Sequence, residues 1–156
     1  MPRVYLETSY VSACVTDRTD TDSLYRLKHS RQWWDQQRSL HDLYVSPEVV
    51  AELSVESYRC REQALAWISG VPLLEISDDV LGLARVLIRE RAMPAGSGDP
   101  IHVAVAAVHG IPYMLSWNVK HLANVNKRVH LARICARCGH VAPEILTPDC
   151  FWEVES

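Results

Sequence analysis

The chain has 156 residues, the length of one domain, and its 48% hydrophobic and 22% charged residues are ordinary for a folded globular protein. Six glycines and eight prolines without a biased tract exclude collagen-like and linker-dominated architectures, and no stretch reaches the ~20 apolar residues of a membrane span. A formal net charge of −3 excludes a whole-chain basic field. The N-terminus turns acidic at Glu7, too early for a signal peptide, so a single cytoplasmic domain over residues 1–156 is expected, with no membrane partner.

In chain order, Val4-Tyr5-Leu6 opens as a short apolar strand, followed at once by Glu7, Thr8 and Ser9. Residues 21–39 read as a long helix carrying Leu24, Leu27, Trp33 and Trp34. Leu43-Tyr44-Val45 is a second strand. Ser46-Pro47 then supplies an N-cap and a proline at the first helical position. The helix that follows carries Val49, Val50 and Leu53 on one side and Glu48 and Glu52 one turn apart. Residues 59–68 look helical and stop at Gly70, and residues 71–76 form a third apolar run whose Pro72 suits a strand start or an edge. Ser77 caps a helix over 78–91, with acids in its first turn and arginines late, as the helix dipole favours.

After Gly96-Ser97-Gly98, Asp99-Pro100 starts a helix that is apolar on nearly every side from Ile101 to His109, and so should be buried. Tyr113 to Ser116 is a strand, residues 126–138 a helix, and Ile145-Leu146 a last short strand. Short apolar strands alternating with helices predict an α/β fold: a three-layer α/β/α sandwich around a parallel sheet of four to five strands.

Five cysteines, an odd number, argue against a disulfide framework and for free thiols. Cys135-Ala-Arg-Cys138 with His140 resembles half of a zinc site but lacks the second ligand pair that a structural zinc needs. Charge is unevenly spread. Residues 100–143 contain none of the 19 acids, yet hold Lys120, Lys127, Arg128, Arg133 and Arg137 and five of the seven histidines. A basic third on an acidic remainder can guide a polyanion toward an acidic site, although solvated helix faces give the same pattern.

Parallel α/β sheets place ligands outside the carboxyl ends of their strands. Neither a G-x-G-x-x-G nor a G-x-x-x-x-G-K-[ST] loop is present, and there is no G-x-S-x-G elbow. Oxygen-bearing side chains stand at the strand ends instead: Glu7 after the first strand, Glu52 on the helix after the second, Asp99 opening the alanine-rich helix, and Asn118 after Leu115-Ser116-Trp117. Hard oxygen donors of this kind suit Mg²⁺ or Mn²⁺ rather than zinc. Taken singly, Asp99 reads equally as an N-cap, Glu52 as a solvated helix residue, Asn118 as a turn former and His102 as a packed histidine. A bare charge at Glu7, against a buried strand, costs energy unless it is paired or metal-bound.

Together, Tyr5-Leu6-Glu7-Thr8-Ser9, Ser46-Pro47-Glu48-Val49-Val50-Ala51-Glu52-Leu53, Gly98-Asp99-Pro100-Ile101-His102 with its apolar continuation, and Leu115-Ser116-Trp117-Asn118 resemble, in order and spacing, the PIN-domain family and in particular its VapC-like toxin ribonucleases. Pro143-Glu144-Ile145-Leu146-Thr147-Pro148 is similar to the close of that domain. The resemblance implies a metal-dependent endoribonuclease of a toxin–antitoxin pair. Glu7, Glu52 and Asp99 match its first three acids, Asn118 stands at the fourth, and Ser116 where a small hydroxyl residue is usual. Two positions depart from the pattern: the first acid is usually Asp, and the fourth is here a neutral amide.

On this reading Glu7 and Asp99, with Asn118 and Glu52 directly or through water, hold Mg²⁺ or Mn²⁺, while Ser9 and Ser116 orient ligands or a phosphate oxygen behind them. Lys120, Lys127 and Arg128 hold the RNA backbone, and single-stranded or looped RNA is the expected substrate. An antitoxin protein is the implied partner, and the apolar residues of the 21–39 helix suggest a homodimer. Two other readings are a PIN-like RNA- or protein-binding module without catalysis, motivated by Glu7 and Asn118, and an acid-dependent phosphohydrolase acting on DNA or a small molecule.

Overall fold

A computed structural model describes residues 1–93, 98–118 and 125–152. Four strands form one sheet in the order β2-β1-β3-β4, all parallel. They are β1 (Arg3–Leu6), β2 (Asp42–Tyr44), β3 (Tyr113–Leu115) and β4 (Glu144–Leu146). The helices among the described residues are α1 (Thr8–Val15), α2 (Thr21–Gln37), α3 (Pro47–Leu53), α4 (Arg61–Trp67), α5 (Asp78–Arg89), α6 (Asp99–Val108) and α7 (Val125–Arg137), and a 3-10 turn over Arg38–Leu40 extends α2. The chain is a three-layer α/β/α sandwich, as its alternating pattern predicts. α1 packs on α2, α3 and α4, α5 packs on α6 and α7, and α3 also meets α6.

Chain order reverses at β1. The first connection runs from β1 outward to β2, and the later ones run from β3 to β4 on the opposite side. The crevice between the carboxyl ends of β1 and β3 is therefore a topological switch point, where such sheets bind ligands. Leu6 pairs with Leu115, and the ladder continues one residue further, with Glu7 N donating to Leu115 O at 3.1 Å. Ser116 N likewise donates to Leu146 O at 3.0 Å. Glu7 and Ser116 thus stand side by side at the mouth of the crevice.

Val4, Tyr5 and Leu6 are fully buried at the sheet centre, and α6 is buried along most of its length. Each aliphatic side chain so enclosed contributes roughly 1.5–3 kcal/mol of transfer free energy. Trp33 belongs to this core, donating from Nε1 to Phe151 O at 2.7 Å, whereas Leu24 and Tyr25 on the same helix remain about half exposed. The apolar surface of α2 is therefore smaller than the sequence suggests. Gly110, at φ +68°, ends α6 in a left-handed turn, and Ile111 N closes it on Ala106 O at 2.8 Å.

Three local features differ from the sequence reading. Residues 8–15 form a helix directly on the end of β1. The 71–76 run makes no full strand: Val45 N donates to Pro72 O at 3.0 Å and Leu74 N to Val45 O at 2.8 Å, one isolated parallel bridge at the edge beside β2. Asp99 is the first residue of α6 rather than its cap. Gly98 occupies the cap position, without a side-chain hydrogen bond.

All five cysteines are free; Cys14, Cys60 and Cys135 are buried, and Cys138 and Cys150 exposed. Burial pushes the Cys14 thiol up to about 12 and Cys135 up to about 11, which suppresses the reactive thiolate. No helix among the described residues is long and apolar enough to cross a membrane.

Candidate active site

Glu7 leaves β1 in an extended conformation and becomes the N-cap of α1. Glutamate is an uncommon cap. Here its Oε2 accepts from Ser9 N at 2.8 Å, from the Ser9 hydroxyl, and from Ser116 Oγ at 3.0 Å. Three neutral donors thus fix one carboxylate oxygen at the switch point, and Glu7 is only 4% exposed. Burial raises its pKa above the ordinary carboxylate value. The nearby charge of His102 and the hydrogen bonds from Ser9 and Ser116 offset part of that rise.

The network continues toward Asp99. Asn118 N donates to Ser116 Oγ at 3.0 Å, and Asn118 Nδ2 donates to both Asp99 carboxylate oxygens, at 3.0 and 3.2 Å. Glu7, Ser116, Asn118 and Asp99, drawn from β1, the end of β3 and the start of α6, therefore form one hydrogen-bonded chain. Asn118 reaches Asp99 through its amide nitrogen.

Glu52 lies across the crevice on α3 in a second group. Its Oε1 accepts from Thr8 Oγ1 at 2.7 Å and pairs with His102 Nε2. On its other side, the His102 ring meets Tyr5 OH through Nδ1 at 2.6 Å, and Tyr5 OH bonds Ser46 Oγ at 2.8 Å. Ser46 occupies the cap position of α3 but makes no side-chain cap bond there. Burial alone would lower the pKa of His102. The hydrogen bond to Glu52 and the charges of Glu7, Glu52 and Glu48 outweigh it, so more of the imidazole stays protonated near neutrality. Burial raises Glu52, but the hydrogen bond and charge of His102 and the Thr8 bond bring it below the ordinary value. Glu48 is pushed up by burial and by the like charge of Glu52.

The structure thus brings together Glu7, Ser9, Ser116, Asn118 and Asp99, and sets Glu52 beside them through Thr8 and His102. Lys127 and Arg128 stand in the first turn of α7, apart from this network, and Lys120 lies outside the described residues. Tyr5, Thr8, Ser46 and the pairing of His102 with Glu52 escape a reading by strand ends. Their signal is a histidine one turn after Asp99 in an otherwise apolar helix.

Among the described residues, no three His, Cys, Asp or Glu side chains are gathered closely enough to hold a metal ion by themselves. The donor set still suits a hard cation of the Mg²⁺ type, which takes one or two carboxylates and keeps several waters. Glu7 supports that fit. It is a buried carboxylate whose direct partners are all neutral, so a cation at the crevice would stabilise its charge.

Fold and site together define a three-layer α/β domain with acids at its switch point. Among solved structures, the chain is similar to VapBC2 from Rickettsia felis, determined bound to a DNA fragment from their promoter. The TM-score is 0.55 and the identity 12%, over 97% of this chain and 99% of that one. It is similar also to FitAcB from Neisseria gonorrhoeae, with a TM-score of 0.55 and 12% identity over 95% and 99% of the two chains. At such identity the likeness is one of fold. Neither a family model nor a curated protein sequence matches the chain.

Proposed function

We propose that this chain is a metal-dependent endoribonuclease and the toxin-like member of a toxin–antitoxin pair. The observation that carries the reading is the convergence of Glu7 and Asp99 on one hydrogen-bonded chain at the switch point. The fold shared with VapBC2 and FitAcB and the order of the sequence motifs support it. On this reading an antitoxin protein is a partner and the active form is a homodimer.

Glu7 and Asp99, with Glu52 and Asn118 directly or through water, are the residues that would hold Mg²⁺ or Mn²⁺. Such an ion supplies an activated water for in-line attack on a phosphodiester and offsets the charge of the transition state. Ser9 and Ser116 hold the Glu7 carboxylate in one orientation, and Asn118 does the same for Asp99. His102 and Thr8 fix Oε1 of Glu52 and keep it anionic. Lys120, together with Lys127 and Arg128 at the start of α7, binds the RNA backbone.

Asp99→Asn tests the proposal. Asp99 is an N1 residue, so the amide loses a dipole interaction of about 0.3–1 kcal/mol and one of the two acceptors offered to Asn118 Nδ2, and the fold survives. Cleavage of a mixed RNA pool in Mg²⁺ or Mn²⁺ should fall by about 10²-fold or more, since several kcal/mol of stabilisation are lost at 1.36 kcal/mol per decade. Asn118→Asp should tighten Mg²⁺ binding. Unchanged cleavage by Asp99→Asn removes that residue from the site. If no variant shows metal-dependent cleavage, the reading passes to an RNA- or protein-binding module, which the nitrogen-first contact of Asn118 with Asp99 favours.

A further inference from the structure

Beside the acids a cleft of about 590 Å³ opens between the end of α1, the start of α2 and the loop ahead of α4. That volume is within the roughly 300–1,000 Å³ range of ligand sites. Ser9, whose hydroxyl donates to Glu7 and accepts from Trp117 N at 2.9 Å, lines its inner end. Arg18, Arg26 and Arg59 line the remainder, and Asp17, the acid among the lining residues, is paired with Arg59. The Arg26 guanidinium lies over the Trp117 ring, 5.7 Å from its centroid, which ties this wall to the chain leaving β3. Arg59 is matched by Asp17, so the net positive charge of the lining comes from Arg18 and Arg26.

We propose that this cleft holds the phosphates of the RNA strand that flank the bond placed at Glu7 and Asp99, an inference that rests on the ribonuclease reading for its choice of RNA. Guanidinium groups recognise phosphate oxygens in a forked, two-bond geometry, and hydroxyls such as Ser12 and Thr16 add donors. Trp117 is only 6% exposed and cannot serve as a stacking platform, so the grip is on backbone and is independent of sequence. An acidic peptide would meet the same charges. Nine of the twelve lining residues carry a hydroxyl or a guanidinium group, which suits a chain of phosphates, and the peptide is kept as an outcome of the test.

The test is fluorescence anisotropy of a labelled single-stranded RNA of ~20 nucleotides in chelator, which separates binding from cleavage, across a range of salt. Arg18→Gln/Arg59→Gln removes two cleft charges. Arg26 is retained because of its contact with Trp117. Arg85→Gln/Arg89→Gln removes the same charge from exposed positions on α5. Two lost phosphate contacts should lower the slope of log K against log salt by about 1.4 and weaken binding roughly 25-fold near 0.1 M salt. The α5 pair should change both far less.

In the wild-type protein, RNA should slow amide hydrogen exchange in residues 12–26 and 57–60, a readout that needs no variant to fold. Equal losses in the two pairs, no loss in the cleft pair, or an acidic peptide occupying the cleft without competing with RNA would overturn the proposal. RNA bound in the cleft but never cut sinks the nuclease reading and leaves the phosphate site standing. RNA cut with unchanged KM in the cleft variant does the reverse.

Discussion

The two acidic groups at the crevice are held by opposite chemistries. Glu7 and Asp99 are fixed by neutral donors: Ser9, Ser116 and Asn118. Glu52 is fixed by a titratable base, His102, itself buttressed by Tyr5 and Ser46. The first arrangement orients the Glu7 carboxylate with uncharged donors; the second pairs a carboxylate with a titratable base of the fold. The pKa directions follow, with Glu7 raised by burial and Glu52 held below its ordinary value by the imidazole.

The largest expected effect comes from removing each charge in turn. Glu7→Gln should lower RNA cleavage by about 10²-fold or more if that carboxylate holds the cation, while stability stays level or rises, since the buried charge opposes folding. Glu52→Gln should destabilise the fold by leaving the protonated His102 without its counter-charge. Urea denaturation of the two variants at neutral pH checks the contrast, and equal destabilisation would erase the distinction between the groups.

A smaller effect is expected from Gly98→Ala. A Cβ on Gly98 would stand 2.8 Å from Glu52 Oε2, 2.9 Å from its Cδ and 3.0 Å from Glu48 Oε1. These are flexible side-chain ends, so the backbone should keep its path, and the loss of stability should not exceed that of Glu52→Gln. Glu52 must then turn away from His102, and cleavage should drop by roughly tenfold, equivalent to about 1.4 kcal/mol. The NMR shifts of the His102 ring would report the broken pair; unchanged shifts with full activity would mean that the crevice has room to spare.

Sequence alone carries the layer order and the location of the acids, because short apolar strands and capped helices leave local marks. Asp20 and Ser77 do cap α2 and α5 as such residues should. Helix α1 leaves no such mark. Thr8, Ser9, Val11, Ser12, Cys14 and Val15 are weak helix formers, and its cap is a glutamate. Residues 71–76 look like a strand by composition, but Pro72 has no N–H to give a ladder, and the run shrinks to a bridge at the edge. His102 meets Glu52 across 50 positions and Tyr5 across 97, contacts that no local pattern encodes. The arginine cleft is equally silent. Its arginines come from α2 and from two loops, while the conspicuous charge pattern draws attention to residues 100–143.

The smallest effect is a pH dependence, and its sign distinguishes the two groups. His102 has a raised pKa in the folded protein, so its contribution to stability is present below the unfolded value near 6.5 and is lost as pH rises through the folded value. Glu52 has a lowered one, so its contribution is present above the unfolded value near 4.5 and is lost as pH falls through the folded value. The pair therefore stabilises most between these limits. Glu7 runs the other way: a carboxylate raised by burial costs stability as pH rises from its unfolded value through its folded one. His102→Gln keeps a donor toward Glu52 but removes the cation. Urea midpoints measured from about pH 4 to about pH 8 should show the wild-type advantage over this variant peaking within that range and declining toward both ends. A constant difference across the range would mean that Glu52 and His102 meet as a neutral hydrogen bond, and the contrast between the two acidic groups would then rest on geometry alone.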